Sequence, residues 1–244
     1  LLPIFLLKSQ EWVTNSEYIN NLNTITTAVP FLTIAPDSRS GAMGDLGVAT
    51  TPDVYSLHWN SAKLAFLTQG GSFAISYTPW LSNLVPDISL SHLTGYYKLN
   101  KISTIAGSLR YFSLGNITFT DEDGIGIRDY DPNEYVFDLG YSMKLSDYFS
   151  AGLVMKYIYS NLTGGLPVEG LDTQAGQSFA VDLGTYYESK KFKLTEYESQ
   201  WAVGLNISNI GGKISYTESG DEDFLPMNLR IGGRLSTEID DYNR

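Results

Sequence analysis

Asn133-Glu134-Tyr135-Val136-Phe137-Asp138-Leu139-Gly140-Tyr141-Ser142-Met143-Lys144-Leu145 reads as one strand with two unlike faces. Successive side chains of a strand point to opposite sides, so Tyr135, Phe137, Leu139, Tyr141, Met143 and Leu145 share one face. Glu134, Val136, Asp138, Gly140, Ser142 and Lys144 share the other. The first face suits lipid and the second a crowded, partly polar interior. The same alternation runs through Phe149 to Asn161 and Gln177 to Ser189. Such strands, joined by alternately short and long connections, describe a transmembrane antiparallel β-barrel.

Composition sets the bounds. A chain of 244 residues with no cysteine, 43% hydrophobic residues, 17 tyrosines and a net charge of −11 suits a single all-β domain. The acidic balance argues against nucleic acid as a partner, and the absence of cysteine removes disulfides and thiolate metal sites. No run approaches the ~18 apolar residues of a membrane-spanning helix, so any span is made of strands closed on themselves. The opening Leu1-Leu2-Pro3-Ile4-Phe5-Leu6-Leu7 resembles the tail of a secretory signal but lacks a basic start and a clear cleavage site. It reads equally as a signal remnant or a mature apolar arm.

Eight strands are legible: Ser72 to Trp80, Ile88 to Lys98, Ser103 to Gly115, Asn133 to Leu145, Phe149 to Asn161, Gln177 to Ser189, Gln200 to Asn209 and Met227 to Ile239. Most match the ~9 to 11 residues that a tilted strand needs to cross a bilayer. Connections after the second, fourth and sixth strands are brief (Leu99 to Ile102, Ser146 to Tyr148, Lys190 to Ser199). Those after the third, fifth and seventh are long (Asn116 to Pro132, Leu162 to Gly176, Ile210 to Pro226), while the first, Leu81 to Asp87, is short. Outer-membrane barrels keep short turns in the periplasm and long loops outside. That parity predicts a periplasmic N-terminus and long loops at the cell surface. The three long loops carry nine of the eleven excess negative charges, which either simply keeps them solvated or serves a cation or protein contact.

The outward set continues through Phe149, Ala151, Leu153, Met155, Tyr157 and Tyr159, then Phe179, Val181, Leu183, Thr185 and Tyr187, then Trp201, Val203, Leu205 and Ile207. The inward set includes Gly152, Lys156, Ser160, Asp182, Gly184, Gly204, Asn206 and Ser208, with Arg110, Arg230 and Arg234 from other strands. Mixed charge predicts a packed, ion-paired interior. Ile88 to Lys98 is ambiguous, since Leu90 and His92 share a face opposite Leu93. Aromatic pairs near strand ends (Tyr77 with Trp80, Tyr96 with Tyr97, Tyr111 with Phe112, Tyr157 with Tyr159, Tyr186 with Tyr187) fit interfacial girdles, or ordinary strand preference. Residues 1–27 are expected to form an N-terminal arm, 28–71 a hatch-like segment attached at the periplasmic mouth, and 72–244 the barrel strands.

Ala42-Met43-Gly44 followed by Asn60-Ser61-Ala62 resembles the hatch of FadL-like outer-membrane barrels, with Ser61 where proline is usual. Further matches are Phe31-Leu32-Thr33-Ile34-Ala35-Pro36-Asp37-Ser38-Arg39, Gly47-Val48-Ala49-Thr50-Thr51-Pro52-Asp53, Tyr77-Thr78-Pro79-Trp80-Leu81 and Asn83-Leu84-Val85-Pro86-Asp87-Ile88. They continue in Gly95-Tyr96-Tyr97-Lys98, Leu109-Arg110-Tyr111-Phe112-Ser113-Leu114-Gly115, Asn206-Ile207-Ser208-Asn209-Ile210-Gly211 and Glu238-Ile239-Asp240-Asp241-Tyr242-Asn243. From about Ile25 onward the chain resembles the PorV family, FadL-like outer-membrane proteins of the Bacteroidetes type IX secretion system. The resemblance implies a 14-stranded barrel with an N-terminal hatch, of which eight strands are visible here. It also implies a non-enzymatic carrier that docks on the translocon barrel, binds the C-terminal domain of cargo and delivers it to a surface attachment complex containing a sortase-like protease. Exposed loops would do the holding, with Trp80, Leu81, Leu84, Val85, Phe224 and Leu225 as apolar anchors and Asp121 and Asp123 as acidic contacts. Two other roles remain open, a FadL-like uptake channel for hydrophobic small molecules and an outer-membrane lipopolysaccharide deacylase.

The residues point to no catalytic, cofactor or metal site. Ser91 and His92 are adjacent on a strand, so they face opposite ways and cannot pair as nucleophile and base; His58 lies in the hatch-like segment. Asp129-Tyr130-Asp131-Pro132-Asn133-Glu134 begins like a calcium loop but has Glu134 at the turn-glycine position and Gly140 where the bidentate acid belongs. Gly41 to Gly47 has no Lys-Ser or Lys-Thr ending and cradles no phosphate by sequence.

Overall fold

A computed structural model describes residues 27–80, 87–120, 123–167, 172–217 and 222–239. Eight long strands form one curled antiparallel sheet: β1 (Gly71–Pro79), β2 (Ile88–Lys98), β3 (Ser103–Leu114), β6 (Asn133–Lys144), β7 (Phe149–Asn161), β8 (Gly176–Glu188), β10 (Tyr197–Gly211) and β13 (Asn228–Glu238). They pair in that order, and short β9 (Phe192–Leu194) adds to β10 at a turn. Two small hairpins, β4 (Ile117–Thr120) with β5 (Gly126–Tyr130) and β11 (Ile214–Ser215) with β12 (Glu222–Asp223), sit within what the sequence presented as plain loops. The expected strands and the observed ones agree closely because strict alternation is a local property of the chain.

Burial follows the alternation. Phe73, Ile75, Tyr77, Leu93, Phe137, Leu139, Met155, Phe179, Leu229 and Ile231 stand exposed on the convex face. The concave face wraps residues 27–70, which form 3₁₀ turns at Pro30–Thr33 and Ser61–Phe66 and short α-helices at Ser38–Ala42 and Ser56–Trp59. An exposed apolar face of this extent belongs in hydrocarbon. The described segments contain no helix long and apolar enough to cross a membrane.

The interior is layered. Toward the long loops, Val29, Phe31 and Leu32 pack with Leu90, Phe112, Val136, Ile158, Ala180, Ile214 and Leu225. Toward the short turns, Leu57 and Leu64 meet Tyr96, Ala106 and Val154, and Ala62 meets Tyr186 and Ala202. Between these layers a polar belt crosses the sheet through His92, Arg110, Asp138, Lys156, Asp182, Asn206 and Arg230, one residue from each of the seven strands after β1.

Several expectations are corrected. The ambiguous strand resolves with Leu90, His92, Thr94 and Tyr96 inward and Leu93 and Tyr97 outward. Tyr96, Phe112 and Tyr186 leave the girdle and turn inward, since adjacent strand residues cannot share a face. Rings do line the long-loop rim of the convex face, where Tyr135 stacks on Tyr159 at 4.7 Å and Tyr157 meets Phe179 at 5.3 Å. The segment 27–70 spans the two ends of the sheet. Thr27 pairs with Phe224 in a parallel bridge and the Ala28 amide donates to the Phe224 carbonyl at 3.0 Å. From there the described segment runs along the concave face and joins β1 at the short-turn end, where Lys98 N donates to Gly70 O at 2.8 Å.

Leu139 is 54% exposed at the middle of β6. Leu139→Arg should destabilise the protein in a bilayer by about 2 to 4 kcal/mol, read as lost heat-modifiable mobility after refolding into vesicles. Assembly equal to the parent would contradict the outward face.

Candidate functional site

The lumen and the long-loop end are the two places where this fold gathers polar or exposed apolar side chains. In the lumen, Asn60-Ser61-Ala62 lies against the wall. Asn60 caps the 3₁₀ helix that follows it, its Oδ1 accepting from Ala62 N at 3.2 Å. Its Nδ2 donates to Val48 O and to Thr185 O of β8, both at 3.0 Å, so one amide ties two parts of the segment to the sheet.

Strand hydroxyls complete the attachment. Ser142 donates to Ser61 O at 2.5 Å, Ser150 to Ala62 O at 2.7 Å and Thr104 to Leu64 O at 3.2 Å. The backbone comes this close only because the wall is glycine there. A Cβ on Gly152 would sit 2.4 Å from Ser61 Oγ, on Gly184 2.4 Å from Asn60 Oδ1, and on Gly204 2.1 Å from Val48 O.

The belt holds the centre. Lys156 Nζ lies 2.7 Å from Asp182 Oδ2 and donates to Asn209 Oδ1 at 2.9 Å. Asn209 stands in the left-handed region (φ 60°) beside a register shift in β10, and its amide N–H donates to Asp182 at 2.8 Å. Arg110 is fully buried, donates to Leu32 O at 3.1 Å and has Asp138 at 3.8 Å, itself bonded by Ser108 at 2.7 Å. His58 projects among these groups from the segment and packs edge-on against Trp59. Burial, reinforced by Arg110, Arg230 and Lys156, holds its imidazole well below the usual histidine range, so it is neutral. His92 faces the lumen and Ser91 the convex side, which keeps them apart. Where the segment meets these strands the contact is packed and ion-paired, while cavities of about 500 and 710 Å³ separate it from β13, the open end of the sheet.

At the long-loop end, Trp80 is half-buried against the apolar layer and Asp123 is exposed at the tip of the β4–β5 hairpin. Phe224 is 57% exposed, with Lys213 Nζ 4.6 Å from its ring centre. Leu225, expected as an exposed anchor, is only 5% exposed, because the bridge to Thr27 turns it into the packed layer. Leu81, Leu84, Val85 and Asp121 lie outside the described residues. The calcium-like run is divided: Asp129 accepts from Thr118 at 2.6 Å, Asp131 from Asn116 at 3.0 Å, and Glu134 faces inward to Ser160 at 2.7 Å. Sequence reasoning missed Ile125 and Ile127, 65% and 63% exposed on the hairpin. Asp123-Gly124 between β-forming residues was the available signal, and Gly124 takes the positive φ (78°) of that turn.

A family model described as type IX secretion system protein PorV matches residues 17–244, which include every described element. No curated protein matches the chain.

Adding one methyl at Gly204 should dislodge the segment without unmaking the sheet. Gly204→Ala is expected to weaken docking by roughly 1 to 3 kcal/mol, seen as faster proteolysis within residues 27–70 while the strands stay resistant; equal protection would contradict the close fit. Lys63 gives a second handle, since its Nζ donates to Gly47 O at 2.7 Å and Thr50 Oγ1 at 2.9 Å from a fully buried site. Burial pushes its ammonium from the usual 10.5 down to about 8, against the attraction of Asp53. A displaced segment then binds more protons than a docked one between about pH 8 and 10.5, so docking strengthens as pH rises through that window. Cleavage within 27–70, normalised to Lys63→Met, should slow from pH 8 to pH 10; acceleration would reverse the sign and refute it.

Proposed function

The chain belongs to the PorV family and is an outer-membrane component of the type IX secretion system, and from that premise we propose that it is a plugged, non-enzymatic carrier. It docks on the translocon barrel, holds the C-terminal domain of cargo with its long loops, and passes the cargo to the surface attachment complex with its sortase-like protease. Residues 27–70 act as a fixed hatch, and the long loops face the cell exterior together with the end where Thr27 meets Phe224.

The observation that carries this reading is the close packing of residues 27–70 against the concave face of the open, eight-stranded half-barrel. A route for hydrophobic small molecules needs a continuous apolar path. The belt of Arg110, Asp138, Lys156 and Asp182 interrupts the concave wall with charge, and hydroxyl-bonded backbone of the segment covers that wall below it. Deacylation needs a paired nucleophile and base, and Ser91 and His92 point to opposite sides of β2. Work on a partner is left to the rim, where Phe224, Ile125 and Ile127 are exposed among acidic loops.

Removing residues 116–132 in the full protein, in cells, tests the rim. Barrel assembly should persist while cargo crosslinking falls about tenfold or more, equal to ~1.4 kcal/mol of binding. Unchanged capture and release of cargo with the loop gone would sink the carrier role of this loop.

A further inference from the structure

The β4–β5 hairpin is fixed at its base and on one flank. Asn116 N donates to Asp87 Oδ2 at 2.7 Å, and Asn116 Nδ2 to Asp131 Oδ1 at 3.0 Å. On the β5 side, the Tyr130 hydroxyl donates to Asn161 O and Arg128 Nη1 to Gly164 O, both at 3.5 Å. A Cβ on Gly164 would meet the Tyr130 ring at 2.7 Å, so β5 leans directly on that loop. β4 pairs only with β5, and among the described residues no strand covers its other edge.

That edge is unusual in what it lacks. Natural edge strands are guarded by shortness, Lys, Pro, inward charges, bulges or a covering element. Ile117-Thr118-Phe119-Thr120 has β-branched or aromatic residues throughout, no proline and no charge; the guards it keeps are its four-residue length and an irregularity between Phe119 and Thr120, toward the tip. Ile117, Thr118 and Thr120 are exposed. The register puts Ile117 opposite Tyr130 and Phe119 opposite Arg128 on one face, and Thr118 opposite Asp129 on the other. The connection 116–132 that contains this edge carries five acidic residues against the single Arg128 in its sequence, and of the described ones Asp129 lies opposite Thr118.

We propose that β4 is a strand-addition site that takes an extended basic segment of a partner protein, with alternate apolar residues beside Ile117 and Phe119 and Lys or Arg on the side of Thr118 and Asp129. Backbone hydrogen bonds supply the pairing, alternate side chains choose the register, and the acidic surround selects the charge. The proposal deepens the carrier reading by naming the kind of segment its rim captures.

The test uses the full-length protein in detergent and two fluorescent ten-residue peptides, alternating Val with Lys or Val with Glu, followed by anisotropy. The Val-Lys peptide should bind and weaken with added salt, and the Val-Glu peptide should not bind. Successive N–H groups of a strand point to opposite edges, so one of Thr118→Pro and Phe119→Pro removes an outward donor. That variant should lose at least tenfold in affinity with heat-modifiability unchanged, while Thr118→Val keeps parental affinity. Equal binding of both peptides, or parental affinity in both proline variants, overturns the proposal. Peptide binding as expected with cargo capture intact after loss of 116–132 would sink the role of this loop in cargo capture alone; the converse would sink only the strand-addition site.

Discussion

The seat of Asn60-Ser61-Ala62 and Val48 against Gly152, Gly184 and Gly204 is the contact on which the rest of the molecule depends. A curled sheet with lipid outside must still satisfy or cover whatever its inner face presents, and this inner face carries charge at its centre. Bringing peptide groups within hydrogen-bond reach of Ser142, Ser150 and Thr104 lets one irregular segment cap the wall with those carbonyls paired. Each such bond is worth only ~1 kcal/mol net, while an orphaned buried group costs about 1 to 3 kcal/mol. The fit is therefore enforced more by what misplacement would strand than by what docking gains.

The same asymmetry explains the belt. A buried ion pair such as Lys156 with Asp182 adds little over a well-packed apolar pair, yet losing one partner costs about 3 to 5 kcal/mol. Pairs of this kind fix the wall, and Arg110 of the belt reaches from it to Leu32 O of the segment. Sliding by a residue would set Leu32 O away from Arg110 and bring the apolar layers against charge. With the interior committed to packing, the exposed long-loop rim is the part of the protein free to meet partners.

Much of this was legible in the sequence because alternation is written residue by residue. Tyr135 to Leu145 faced outward as read, and Lys156 and Asp182 faced each other as mixed interior charge suggested. Adjacent aromatics such as Tyr96 and Tyr97 looked like a girdle only when position along the strand was weighed without facing. Leu225 and the place of Thr27 at the long-loop end were illegible, because a bridge between residues so far apart in the chain leaves no local pattern. The β4–β5 hairpin lay between: its Asp-Gly turn was visible, but the acidic run around it read as loop.

The central claim is that the lumen stays plugged while the protein works. The chain has no cysteine of its own, so Ser61→Cys and Ser142→Cys, which replace neighbours across the segment and the wall, can be joined by oxidation or a short bis-thiol reagent. Secretion measured in cells carrying the joined pair should equal that after reduction. Secretion blocked by the bridge and restored by breaking it would show that the hatch must move, and the account would fail.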